Sequence, residues 1–435
     1  MSKSSKFNTP SNMSNYRKFL SLLTLLGSCL TFLNAQILLR PDRVFDGFEM
    51  HSQWVVLLQD ATIQYAGPAD GLSQPSGAEV IDLKGMTLMP GLIEGHSHLL
   101  LHPYNETPWN DQVLRESPAE RAIRGGVHAQ KSLRAGITTM RDLGSEGAGY
   151  ADVALKKAIE EGIIPGPRLL VAGPAIVATG AYGPKGFHEG VKVPLGAEAA
   201  SGVPEVIETA RRQLGGGADF IKIYADYRWT PGAASQPTFL SEELEAMVEA
   251  ARSAGKYAVA HASTPEGMKR AVLAGVETIE HGDGGTTAVF RLMEERGVVL
   301  FPTLAAGDAI ERYRGWDGSA DTERIEKKKE SFRMALESGV TIGFGGDVGV
   351  YPHGENYREL ELMVAYGMPP LDVLKSATSG NARTFHLGNL GQVRKGYLGD
   401  LIGVPGDPSR NIRALREVSF VMLDGKIIRN DFRNP

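Results

Sequence analysis

The sequence predicts an α/β protein: a (β/α)8 TIM barrel with a small β-sandwich formed from its N- and C-terminal segments. Three observations lead there. Eight short apolar β runs alternate with helical patterns between residues 87 and 385. Further short β-type runs, split by turn residues, occupy both flanks. Polar residues collect where the apolar runs end, at the face on which barrels carry their chemistry.

The eight runs are "TLMPGLIEGHSH" (87–98), "GITTMRDLG" (136–144), "PRLLVAG" (167–173), "DFIKIYA" (219–225), "YAVAHAS" (257–263), "ETIEHG" (277–282), "VVLFPTL" (298–304) and "TIGFGGD" (341–347). Helical patterns at 116–134, 204–214, 241–254, 265–274 and 286–296 separate many of them. The flanks, "ILLRPDRVFDG" to "AEVIDLKGMTLMPG" and "YLGDLIGVPGDP" to "VSFVMLDGKIIRND", are expected to meet in the sandwich. The expected division is 36–86 and 386–435 for the sandwich and 87–385 for the barrel.

At 435 residues, with 42% hydrophobic and 22% charged residues, the chain can bury a large core. Its net charge of −5 and lack of a basic stripe argue against a nucleic-acid partner. The run "TERIEKKKE" at 322–330 reads as a solvated helix face.

The N-terminus reads as a signal peptide of residues 1–35. Lys3, Lys6, Arg17 and Lys18 precede the apolar run Phe19 to Leu33, and cleavage is expected after Ala35. The run is short for a membrane span. "LGSC" at 26–29 offers an alternative, lipidation at Cys29, although the apolar run continues past it. The mature chain is therefore expected to be exported, periplasmic or secreted, with no transmembrane segment and no cysteine.

Residues two apart on a strand share a face, so His96 and His98 point together into the barrel mouth. Two imidazoles on one face suit a metal ion. His261, His281 and Asp347 each end another run, which makes a metal site the expectation. Lys222 is the anomaly. It shares its face with Phe220 and Tyr224, inside an apolar strand. It is either a lysine paired with a carboxylate, a Schiff-base lysine, or a lysine carboxylated by carbon dioxide, whose anionic carbamate can bridge two metal ions.

"PGLIEGHSH", the inward lysine, "HAS", "EHG" and "GGD", in that order, resemble the metal-dependent amidohydrolase superfamily. "TTMRDLG", "GPRLLVAG" and "GDVGVYPHGEN" resemble its branch of imidazolonepropionase-like proteins, Xaa-Pro and Xaa-Arg dipeptidases, and ochratoxinase-type amidases. The resemblance covers nearly all of the mature chain. It implies two divalent ions, most simply zinc. His96, His98 and Asp347 would hold the first, His261 and His281 the second, with carboxylated Lys222 and a water or hydroxide as bridges. It further implies hydrolysis of an amide in a dipeptide, an N-acyl amino acid or an ochratoxin-like compound, with Asp347 as general base and then acid.

Substrates of that branch present a free carboxylate. Tyr224 is the first residue expected to bind it, then Arg141, with His353 at the rim. The loop at 173–200 is long and glycine-rich enough for a lid. It carries "ATGAYGPKGFH", with Tyr182 where that branch often has a histidine, and this departure puts substrate preference in doubt. His51, His102, His128 and His386 are expected to be structural, His102 being the first exception to consider. Rival readings are a cyclic-amide hydrolase or deaminase of the imidazolonepropionase type, a lactonase or phosphotriesterase-like enzyme, and a binding protein on an inactive scaffold. The partner in each case is a small molecule. A homo-oligomer is compatible with the sequence.

Overall fold

The computed structural model of the chain describes residues 36–431 apart from Gln74 and Glu189. The expected signal segment, with Cys29, lies outside the described residues. Among those described, no helix is long and apolar enough to cross a membrane.

Alternating apolar residues in both flanks drive those flanks into one eight-stranded sheet. From the N-terminal side come Gln36–Phe45, Met50–Ser52, Trp54–Gln59, Thr62–Pro68 and Glu79–Pro90; from the C-terminal side come Leu401–Pro405, Phe420–Leu423 and Lys426–Asn430. The seam between the two ends is antiparallel, pairing Leu401 with Pro90 through to Pro405 with Met86. Leu39, Val56, Ile63, Leu83, Phe420 and Met422 belong to a core of this sheet's own. Residues 87–90, expected in the first barrel strand, instead extend the sheet strand Glu79–Pro90; only after Gly91 does the chain enter the barrel at Leu92–Ser97. A Cβ at Gly91 would lie 2.1 Å from Thr138 Oγ1, which is why the crossing needs glycine.

Seven of the eight expected barrel runs form strands: Leu92–Ser97, Ile137–Asp142, Arg168–Val171, Ile221–Tyr224, Ala258–Ala262, Thr278–His281 and Val299–Phe301. Neighbours within these pair in parallel. The third breaks at "AGPA" and resumes as Ile176–Ala178, which pairs with the fourth strand. The eighth run, 341–347, is extended but forms no regular strand. It still closes the barrel. Gly343 N donates to Leu300 O, Gly95 N to Phe344 O, and Asp347 N to His96 O, at 2.8, 3.0 and 2.8 Å.

The helices begin and end where their residues dictate. Ser117, Thr264, Thr286 and Thr322 each accept a backbone N–H at a helix start. Gly275, Gly297 and Gly339 end helices in the left-handed region. Ile221 and Ile223 face these helices in the main core, whereas Phe220 packs inward with Leu143, Ala172 and Val259. Lys222 and Tyr224 therefore share the interior, as strand alternation requires.

Candidate active site

A cavity of about 470 Å³ opens at the C-terminal ends of the strands. His96, His98, His261, His281 and Asp347 all line it. Lys222, 1% exposed, lies among them, its Nζ 5.5 Å from the centre of the Tyr224 ring. It makes no hydrogen bond or ion pair among the described residues.

Three of the imidazoles are oriented by hydrogen bonds. His96 Nδ1 meets Glu280 Oε2 at 2.8 Å, His98 Nδ1 meets Gly144 O at 3.0 Å, and His281 Nδ1 meets Thr303 Oγ1 at 2.8 Å. These contacts leave the Nε2 atoms for the centre. His96 Nε2 and His98 Nε2 lie 3.7 and 3.5 Å from Asp347 Oδ1. His261 turns the other way, with Nε2 3.8 Å from Asp226 Oδ1, and its ring stacks on Tyr224 with centroids 4.6 Å apart. His96, His281 and Asp347 present ligand atoms all within 4.8 Å of one another. That trio cuts across the division expected from the resemblance, which set His281 apart from His96 and Asp347.

Two of these side chains reach the centre through unusual backbone. In a regular strand Glu280 and His281 would face opposite sides. His281 has φ 75°, and this left-handed turn lets both serve the interior. Asp347 has φ 63° at the end of "FGGD". Glu94 holds that end in place, accepting from His96 N at 3.1 Å, Gly346 N at 2.9 Å and Asn356 Nδ2 at 2.7 Å.

The electrostatics suit a cation ligand set. Burial pushes His96, His261 and His281 well below the usual imidazole range, helped by Lys222 and, for His96 and His281, by neighbouring imidazoles, so they stand neutral with lone pairs free. For His98, burial acts downward, but Glu146 and Asp347 outweigh it and raise the pKa. Burial lifts Asp347 to about 6 against the pull of His98 and Lys222. Burial also lowers Lys222 to about 8, which leaves part of it as neutral amine near neutral pH. Four imidazoles, three of them held by hydrogen bonds, a carboxylate and an unsatisfied amine form a donor set that fits divalent metal ions.

The residues expected to bind substrate divide. Tyr224 and Tyr182 line the cavity, their hydroxyls 3.4 Å apart. Arg141 does not line it. It lies fully buried beneath the centre, donating to Glu280 Oε1 at 2.8 Å and Gly95 O at 2.7 Å, with its guanidinium over Phe301 and Phe385. It holds Glu280, which holds His96. His353 is also absent from the lining; it stacks on His128, centroids 4.3 Å apart, and bonds Leu101 O. His102 is buried and paired with Glu116 at 2.8 Å, a structural role.

Sequence reasoning missed two carboxylates. Glu280 stood inside the quoted "EHG", but its partners Arg141 and His96 lie far away in sequence. Glu146 follows the second strand in "DLGSEG", at φ 48°, and lines the cavity. It accepts from Trp109 Nε1 at 2.8 Å and Tyr182 Oη at 2.9 Å.

Residues 87–428 match the amidohydrolase family. The chain belongs to that family. This amidohydrolase is similar to an ochratoxinase from Aspergillus niger, 30% identical over 393 residues covering 80% of this chain and 78% of that protein. Among solved structures it is similar to a Xaa-Pro dipeptidase with methionine bound in the active site: TM-score 0.81, 31% identity, 91% of this chain and 100% of that one. It is also similar to a prolidase complexed with N-methylphosphonate-L-proline: TM-score 0.78, 27% identity, 91% and 100% coverage. The amidohydrolase is thus a TIM-barrel hydrolase acting on amide bonds, in a family that generally depends on metal.

Proposed function

We propose that this amidohydrolase is an exported enzyme that cleaves a small amide with two divalent ions, zinc being the first candidate, held by His96, His98, His261, His281 and Asp347. One observation carries the reading: these five side chains, from four different strand ends, line a single cavity around Lys222. The ions would supply Lewis acidity, lowering the pKa of a water toward about 7 and polarising the amide carbonyl.

The protein's own residues do the rest. Lys222 in its neutral form adds carbon dioxide, releasing a proton and leaving an anionic carbamate with two ligand oxygens. That change relieves the cost of an amine buried without a hydrogen-bond partner. Asp347, lifted to about 6 and facing His96 and His98, accepts a proton from the nucleophilic water and delivers it to the departing nitrogen. An amine leaves poorly unless protonated, so this transfer is required. Glu280, held by Arg141, fixes the tautomer and plane of His96. The aromatic wall of Trp109, Tyr182, Tyr224 and Tyr227 keeps bulk water from one side of the cavity.

The substrate is a dipeptide, an N-acyl amino acid or an ochratoxin-like amide. The similarity to an ochratoxinase and to a Xaa-Pro dipeptidase supports that range. The test is a screen of dipeptides and N-acyl amino acids with zinc-loaded protein. Hydrolysis of a compound bearing a free C-terminal carboxylate is expected; failure with every such compound overturns the reading. Export rests on residues 1–35, and N-terminal sequencing of the protein recovered from the periplasm or medium should begin at Gln36, or at a lipidated Cys29 in the alternative.

A further inference from the structure

Glu146 is placed to do something the catalytic scheme does not use. It is 3% exposed, yet it lines the cavity. Its Oε2 accepts from Trp109 Nε1 at 2.8 Å and from Tyr182 Oη at 2.9 Å; its Oε1 accepts from Tyr224 Oη at 3.4 Å. Among the described residues no lysine or arginine pairs with its side chain. His98 Nδ1 is 3.9 Å away, but that nitrogen is engaged by Gly144 O. The side-chain hydrogen bonds of Glu146 therefore come from neutral donors only, with the His98 ring, whose pKa it helps to raise, beside it.

This arrangement sets what the wall can bind. A phenol has one proton and two lone pairs. Tyr182 and Tyr224 direct their protons at Glu146, and burial, with Glu146 beside them, raises both far above the usual tyrosine range and keeps them protonated. Toward the cavity they present lone pairs. Trp109, Tyr182 and Tyr227 surround the same point, with Tyr182 5.4 Å from Trp109 and 4.8 Å from Tyr227 between ring centres. A carboxylate and four acceptor-facing or aromatic side chains, Trp109, Tyr182, Tyr224 and Tyr227, disfavour a substrate carboxylate at this point and favour an ammonium group. Positive charge sits at the far edge of the wall, where the Arg228 guanidinium lies 6.0 Å from the centre of the Tyr227 ring. Arg228 makes no ion pair among the described residues, whereas Lys328 is paired with Asp283 at 2.7 Å.

Resting on the amide-hydrolase reading, we infer that this wall receives a protonated α-amine, so that the preferred substrates are dipeptides with a free N-terminus. The amine lies at Glu146 and the C-terminal carboxylate at Arg228. Tyr224, with Tyr182 beside it, thus reads the amino end rather than the carboxylate expected for Tyr224 from the sequence.

The experiment compares L-leucyl-L-proline with N-acetyl-L-leucyl-L-proline. Calorimetric titration of zinc-loaded Asp347→Asn protein reads binding without turnover. The free dipeptide is expected to bind roughly tenfold or more tightly than its acetylated form. Glu146→Gln in the same background should erase most of that difference, and Arg228→Ala should weaken both compounds. Equal or tighter binding of the acetylated compound, or binding of neither, overturns the inference, and the wild-type comparison needs no change at Glu146. Turnover is measured separately with the unsubstituted enzyme. If the free dipeptide binds preferentially but is not cleaved, the recognition stands and the hydrolase reading fails; if the acetylated amide is cleaved faster, the reverse holds.

Discussion

Asp347 shows how much one residue carries. It is buried, it faces two imidazoles, and its carboxyl sits near 6, where a group can both take and give a proton around neutrality. Asp347→Asn should lower kcat by about 10²–10⁴-fold, with an unchanged circular dichroism spectrum. Glu280 acts one step back. Glu280→Gln keeps the shape but loses the charge that orients His96 and answers Arg141, so zinc affinity should fall about 10–100-fold, read by competition with a chromogenic chelator. Undiminished affinity would leave Glu280 a structural partner of Arg141 alone. The residues at strand ends were legible because period-two alternation assigns them a face: His96 with His98, Lys222 with Tyr224. Glu280 and His281 were not legible as a pair, because only a left-handed φ at His281 brings both to the interior. Arg141 was misplaced for a related reason. Its face is inward, but its depth is set by contacts with Glu280 and Phe385, which a strand pattern does not contain.

Among the elements, the eighth run is the one whose sequence and structure diverge most. Its glycines weaken it as a strand, and they are there because neighbours come too close for side chains. A Cβ at Gly345 would lie 2.8 Å from His96 N, and one at Gly343 would lie 2.4 Å from Phe301. Gly345→Ala should therefore cost about 1–3 kcal/mol in urea unfolding and weaken zinc binding, since the strain falls on His96 itself. An alanine that leaves both unchanged would mean that the close approach relaxes freely. The helices were read to within a few residues, because capping threonines and terminal glycines mark them locally. The boundary at residue 87 was misread because "TLMPG" is equally apolar in the sheet and in the barrel; only pairing with Leu401–Pro405 decides between them.

Across the whole molecule, residues distant in sequence share one protonation economy. His128 and His353 stack behind the loop after the first strand, bonding Leu99 O and Leu101 O. Burial pulls His128 down to about 4 and His353 well below its usual range. Unfolded, each takes a proton near 6.5. Between about pH 4 and 6.5 the unfolded chain therefore binds more protons, and stability falls as the pH drops through that window, by up to about 3 kcal/mol for His128. Urea midpoints of metal-stripped protein at pH 7 and pH 4.5 should show the loss, and His128→Gln should shrink the difference. The same long-range assembly builds the catalytic centre from strand ends spread between residues 96 and 347, with Lys222 in the middle of the set. Metal content per chain, measured for the zinc-reconstituted protein and for Lys222→Ala, tests that claim most directly. The account predicts two ions in the first, loss of metal together with activity in the second, and partial recovery of activity with a short-chain carboxylic acid. Two ions and full turnover in Lys222→Ala would contradict it.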